Sequence, residues 1–138
     1  MPNKYIGTPW LKGGRDLNGF DCWGFFVYFY KHELNIIFPF NFDYLPGDTK
    51  NITESFKEQI STGQWMKLNA PENNCAVALS QGKLIHHVGV WYNGGIAHAT
   101  KGVGVVWNTP LQLKLSGYNR VEYYKWQPLL KDETLSTH

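Results

Sequence analysis

The most apolar stretch of the chain runs from Cys22 to Leu34. Trp23, Phe25, Phe26, Val27, Phe29 and Tyr30 cover nearly every side of a 3.6-residue helix. That pattern predicts a helix buried centrally, because a surface helix would keep one polar face. Asp21 stands where an N-cap belongs, and Pro39 marks a stop after residues 36–38. A second helix is predicted over residues 51–60. There Ile52, Phe56 and Ile60 recur at i, i+4 and i+8, with Asp48 or Asn51 as the cap. Residues 5–20, punctuated by Gly7, Pro9, Gly13, Gly14 and Gly19, read as loop.

After Gly63 the pattern changes to that of strands. Residues 75–79 form a short apolar run ending in a turn over 80–83. Residues 87–92 and 96–100 flank Asn93-Gly94-Gly95, a strong hairpin signal. Residues 103–107 and 120–126 are further strands. From Lys131 the chain is polar, so 131–138 is expected to be a disordered tail behind a single domain over 1–130. Helices followed by antiparallel strands imply an α+β domain.

Composition narrows the choice of function. With 138 residues, 43% of them hydrophobic and 16% aromatic, the chain can fill a core. A formal charge of +2 without a basic cluster argues against a nucleic-acid partner. No apolar run reaches the roughly 18 residues a membrane span needs, so no membrane insertion is expected. The first ten residues lack an apolar run of signal-peptide length. Cys22 and Cys75 make no disulfide framework and no zinc-binding spacing.

The chemistry centres on Cys22, which follows a Gly-rich loop and opens the buried helix. A helix N-terminus carries partial positive charge that stabilises a thiolate, and its N–H groups can hold an oxyanion. A small buried cysteine at a helix start has the same local sequence. A nucleophilic thiol needs a base, and His87 and His98 are the candidates. With a two-residue turn, Tyr92 opposes Gly95 and His98 opposes Gly89. His87 then shares a face with His98 at a diagonal of roughly 7–8 Å. That suits a general base and the group that orients it. Two partly exposed strand histidines, or two metal ligands without a third, fit the spacing as well. By alternation His86 points to the opposite face. Cys75 reads as a small buried residue. Arg15, Asp16, Trp10, Asp21 and Trp23 surround the nucleophile in sequence. Among these, Trp10, Arg15, Asp21 and Trp23 are candidate substrate contacts, and a solvated or core role is the plain alternative.

These segments together resemble the NlpC-type cell-wall peptidases, a papain-like superfamily. Tyr5-Ile6-Gly7-Thr8-Pro9-Trp10, Gly13-Gly14 and Gly19-Phe20-Asp21-Cys22-Trp23-Gly24 look like its nucleophile motif. His87-Val88-Gly89-Val90-Trp91 with Ile96-Ala97-His98-Ala99 looks like its base and third-residue motif. The resemblance implies Cys22 as nucleophile, His87 as base and His98 as the residue orienting the imidazole. It implies N-terminal helices packed on a central antiparallel sheet, no cofactor, no metal, and peptidoglycan peptide stems as substrate. Trp10 departs from the pattern, since many members have a Tyr there with its hydroxyl near the cysteine. Asp21-Cys22-Trp23-Gly24 looks like the subgroup of tailed bacteriophages and prophages. That implies a virion component at the tail tip, with tail-tip or hub proteins as partners, acting on the host wall and periplasm. The absence of an apolar leader agrees with this. Two other functions suit the same residues: a tail-tip or hub-binding structural protein of little activity, and an amidase or acyltransferase with another substrate.

Overall fold

The computed structural model describes residues 2–38 and 49–127. A 3-10 turn, Pro2–Tyr5, leads into a small antiparallel hairpin of β1 (Arg15–Asp16) and β2 (Gly19–Phe20). Helix α1 spans Cys22–Leu34 and α2 spans Thr49–Ser61. Strands β3 (Trp65–Leu68), β4 (Ala76–Gln81), β5 (Leu84–Tyr92), β6 (Gly95–Thr100) and β7 (Gly104–Asn108) follow. A short helix α3 (Pro110–Leu115) precedes β8 (Arg120–Trp126). Six strands form one antiparallel sheet in the order β3-β8-β4-β5-β6-β7. The architecture is the expected α+β one, with helices laid against a central antiparallel sheet.

Helix α1 has the predicted bounds because both ends are capped. The Asp21 carboxylate accepts from the Gly24 N–H, and Asn35 adopts the left-handed conformation at φ 56°. Seven of its residues are buried, which accounts for an apolar sequence on nearly all sides. α1 lies on β5 and β6. There Phe25, Phe26, Phe29 and Tyr30 join Ala76, Ala78, Val88, Val90, Ala97 and Ala99 in the larger core cluster. Small residues on the strands face large rings on the helix, so the helix sits close to the sheet. Phe56 of α2 reaches the Trp23 ring at 5.0 Å between centroids. A smaller cluster on the other side of the sheet joins Val77, Leu79, Ile96 and Leu113 of α3.

The start of α1 is held by backbone contact with the preceding loop. A side chain at Gly24 would collide with the carbonyl oxygen of Gly14, and one at Gly14 with that of Gly19. Close approach of backbones therefore requires glycine at both positions.

The remaining expectations fare unevenly. The second helix is longer than predicted and already includes Asn51, so Asn51 is an internal residue and not a cap. Asp48, Pro39 and the tail 131–138 lie outside the described residues. The loop over 5–20 contains the β1–β2 hairpin. Strands β4 and β5 extend further than predicted, and the turn between them narrows to Gly82-Lys83. Neither β3 nor α3 is predicted by the periodicity.

Candidate active site

Cys22 is the first residue of α1, 7% exposed, and its thiol is free of any disulfide, as is that of Cys75. The helix start that carries it is pinned by Asp21. One carboxylate oxygen of Asp21 accepts both the Gly24 N–H and the Arg15 guanidinium, each at 2.7 Å. Arg15 also donates to the Gly14 carbonyl. Asp21 is 1% exposed and Trp23 2%. The Asp21 carboxylate caps the helix, and the Trp23 ring packs in the core cluster. Arg15 keeps an exposed edge, but its guanidinium is engaged at the helix cap. Trp10 is half-buried. Its backbone bridges to Phe20, and the Lys101 ammonium lies 5.9 Å from its ring centre.

The β5–β6 hairpin has the expected register, with Tyr92 opposite Gly95 and Trp91 opposite Ile96. Its turn is Asn93-Gly94, at φ 52° and 82°, which suits a two-residue turn between twisted strands. His87 and His98 therefore lie diagonally on one face. A side chain at Gly89 would crowd Ile96 and the Cβ of His98, so glycine there opens the space the two rings share. His86 behaves differently from the simple alternation. The β4–β5 register slips at Leu79/Ser80, where His87 pairs with Leu79 and Ile85 with Ser80, leaving His86 as the extra residue of a bulge.

The rings meet directly. His87 Nε2 lies 2.8 Å from His98 Nδ1, and His98 Nε2 lies 2.8 Å from Asn108 Oδ1. An amide oxygen only accepts, so His98 Nε2 carries a proton and donates to Asn108. In the neutral ring Nδ1 is then an acceptor. It receives the His87 Nε2–H and the Thr100 hydroxyl, which lies at 3.0 Å. The amide of Asn108 is oriented in turn by α3. Its Nδ2 faces Gln112 Oε1 at 3.5 Å, and that oxygen accepts the Thr109 N–H at 2.8 Å within the capping box of α3. Proton direction is thus set from the α3 cap through Asn108 and His98 to His87. The nitrogen left for chemistry on His87 is Nδ1. Because the two facing nitrogens bond each other, they do not converge on an ion.

Both rings are buried, at 7% and 3% exposure. Burial, then the charges of His98 and His86, push the His87 imidazolium well below its ordinary range. Burial lowers His98 too, against the opposing hydrogen bond to Asn108. Tyr118, just after α3, stacks on His87 with ring centroids 5.9 Å apart and 17° between planes. Its phenol is pushed up by burial and then by the charge of Cys22. Tyr118 thus covers the imidazole of His87. A thiol at a helix start beside an imidazole with one nitrogen anchored can form a thiolate–imidazolium pair and attack a carbonyl carbon.

Asn108, Thr100 and Tyr118 have no part in the sequence reading of the site. Asn108 had a usable signal: it follows directly on a predicted strand, two residues beyond the partner of His98, which is Val106. Tyr118 had none, since its approach to His87 is made by the chain reversal at α3.

A buried thiol on the first turn of a central helix, with an imidazole relay on an antiparallel sheet, is the arrangement of a papain-like domain. The NlpC/P60 family model matches residues 7–107, and the chain belongs to that family. Its members are cysteine peptidases and peptidoglycan hydrolases. The fold is similar to the crystal structure of the NlpC/p60 domain of peptidoglycan hydrolase SagA. The TM-score is 0.59 at 22% identity, over 88% of this chain and 91% of that one. A segment of 27 residues is 63% identical to Protein P54 of Enterococcus faecium. It makes up 20% of this chain and 5% of that protein, so the chain matches a small part of P54.

The depressed histidines give a pH signature. The folded state takes up protons on His87 and His98 only below the ordinary value of 6.5, whereas the unfolded chain takes them up near it. Stability contributed this way is present above that value and is lost as pH falls toward the folded values. Urea midpoints should therefore drop between about pH 7 and about pH 5, and the drop should shrink in His87→Asn. An equal drop in both proteins would contradict the burial argument.

Proposed function

We propose that this chain is a cysteine peptidase that hydrolyses amide bonds in the peptide stems of bacterial peptidoglycan. The observation that carries the reading is the relay of fixed direction from Asn108 through His98 to His87, in a domain whose central helix opens on a thiol. Family membership supports the substrate class, as does the fold likeness to a domain described as a peptidoglycan hydrolase.

The reaction runs as follows. Nδ1 of His87 takes the Cys22 proton, and the sulfur attacks a stem carbonyl carbon. N–H groups at the first turn of α1 hold the oxyanion. The imidazolium of His87 keeps its Nε2–H bond to His98 and gives the Nδ1 proton to the leaving amine. The amine departs, leaving a thioester on Cys22. Water then loses a proton to His87 and adds to the thioester carbon. Collapse releases the carboxyl product and restores the thiol. His98 touches no substrate in this scheme; it fixes the ring of His87 and stabilises its charged form. Trp10 and Arg15, the less buried of the four candidates near Cys22 (the others being Asp21 and Trp23), are placed to contact substrate. Cys22→Ala should lose cleavage of purified peptidoglycan by about a thousandfold or more, read by zymography and mass spectrometry of released muropeptides. Cleavage by Cys22→Ala at the wild-type rate would overturn the reading.

We further infer a setting at the tail tip of a bacteriophage, where the chain would act on the host wall beside hub proteins. Its support is the sequence likeness of residues 21–24 to that subgroup. Purified virions of the encoding phage or prophage should contain the chain, and antibody against it should label the tail tip. Virions free of the chain would remove this setting without touching the peptidase chemistry.

A further inference from the structure

We propose that Thr100 is a positioning residue of the site, its hydroxyl occupying the lone pair of His98 Nδ1 so that the positive charge created when Cys22 loses its proton stays on His87. This rests on the assignment of Cys22 and His87 as nucleophile and base.

Thr100 is the last residue of β6, two positions after His98, so both side chains leave the same face of the strand. Its backbone is fixed on both sides. It pairs with Gly104 of β7, and its carbonyl accepts the Val103 N–H at 3.0 Å across the turn that follows. A branched Cβ leaves the side chain few rotamers. The one adopted puts Oγ1 3.0 Å from His98 Nδ1. His98 Nε2 carries the proton it donates to Asn108, so Nδ1 is the acceptor and the hydroxyl the donor. The same nitrogen receives the His87 Nε2–H at 2.8 Å. An imidazole nitrogen has one lone pair, and here two donors share it.

The sharing matters because His98 is an imidazole and not a carboxylate. When Nδ1 of His87 takes the thiol proton, His87 becomes an imidazolium that still donates from Nε2. That Nε2 proton has a second place to go. Its transfer would break the His87 Nε2–H bond, form an N–H bond at His98 Nδ1 and move the positive charge one ring further from the sulfur. His87 would be left neutral with its proton on Nδ1, a poor acid for the leaving amine. The Asn108 oxygen favours a charged His98, and so favours this loss. Thr100 opposes it. A protonated Nδ1 has no lone pair for the hydroxyl, so the transfer costs one hydrogen bond at a buried site. Two rings of the same intrinsic basicity are thereby made unequal.

Thr100→Val keeps the branched shape and the strand preference and removes the donor. Thr100→Ser keeps the hydroxyl and removes the methyl. Both are compared with wild type as full chains. Nitrogen spectra of the labelled histidine rings, recorded from about pH 4 to about pH 8, read which ring takes the proton. Steady-state kcat and KM on a purified muropeptide read the consequence. The other titratable groups acting on the pair are His86 beside His87, Tyr118 stacked on its ring and, on the assignment above, Cys22. All three are unchanged in these variants. In acid, wild type should carry protons on both nitrogens of His87 and on Nε2 alone of His98. In Thr100→Val a proton should appear on His98 Nδ1, the pair should titrate about one pH unit higher, and kcat should fall about tenfold at unchanged KM. Thr100→Ser should keep the wild-type titration, with kcat within about twofold. A Thr100→Val that titrates and turns over as wild type does would overturn the inference and leave the peptidase reading standing. So would a Thr100→Ser that matches Thr100→Val, since the methyl and not the hydroxyl would then matter. A wild-type chain that cleaves no muropeptide, and whose Cys22 reacts with iodoacetamide no faster than Cys75, would overturn the peptidase reading and the inference with it.

Discussion

The hydrogen bond between His87 Nε2 and His98 Nδ1, 2.8 Å long, sets the chemistry available to the rest of the site. Two imidazoles can share one proton in either direction, and the direction decides whether Nδ1 of His87 is bare and able to take the thiol proton or already carries a proton itself. Asn108 removes the ambiguity, because its oxygen accepts from His98 Nε2. Only then is His98 an acceptor toward His87. A neutral histidine replaces the carboxylate often used to orient a catalytic imidazole. It stabilises the imidazolium less by charge, and burial lowers both rings further. The arrangement depends on hydrogen-bond direction more than on net charge.

Much of the fold serves that bond. Gly89 leaves room for the rings, and the Asn93-Gly94 turn fixes the register that brings them to one face. On the other side, the Asp21 cap and its Arg15 partner set the first turn of α1, while Gly14 and Gly24 let the loop backbone lie against it. The segment from Asn108 to Tyr118 closes the arrangement. Its first residue orients His98 and its last stacks on His87, with the six residues of α3 between them. A short helix with one buried residue contributes little to the core, and its main effect is to fix those two ends.

The sequence made α1 legible to the residue, because a cap and an all-round apolar run are local signals. The hairpin was equally legible, since Asn-Gly turns dictate register and register dictates which residues share a face. Strand β3 was not: its residues are half-buried or exposed, so no alternation marks it. Helix α3 is too short for periodicity, and only Thr109-Pro110 with Gln112 signals its start. Asp21 was legible as the N-cap, whereas its Arg15 partner and the packing of Trp23 against Phe56 come from tertiary contacts. Asn108 could be reached from the strand register, whereas Tyr118 joins the site through the chain reversal at α3, which no local pattern announces.

Long-range proton–nitrogen correlation spectra of the labelled histidine rings, recorded near neutral pH, test the central claim most directly. The account predicts a proton on Nε2 of both His87 and His98, with Nδ1 of His98 unprotonated. A proton on Nδ1 of His98, or an unprotonated Nε2 on His87, would reverse the relay and contradict the assignment of Nδ1 of His87 as the base.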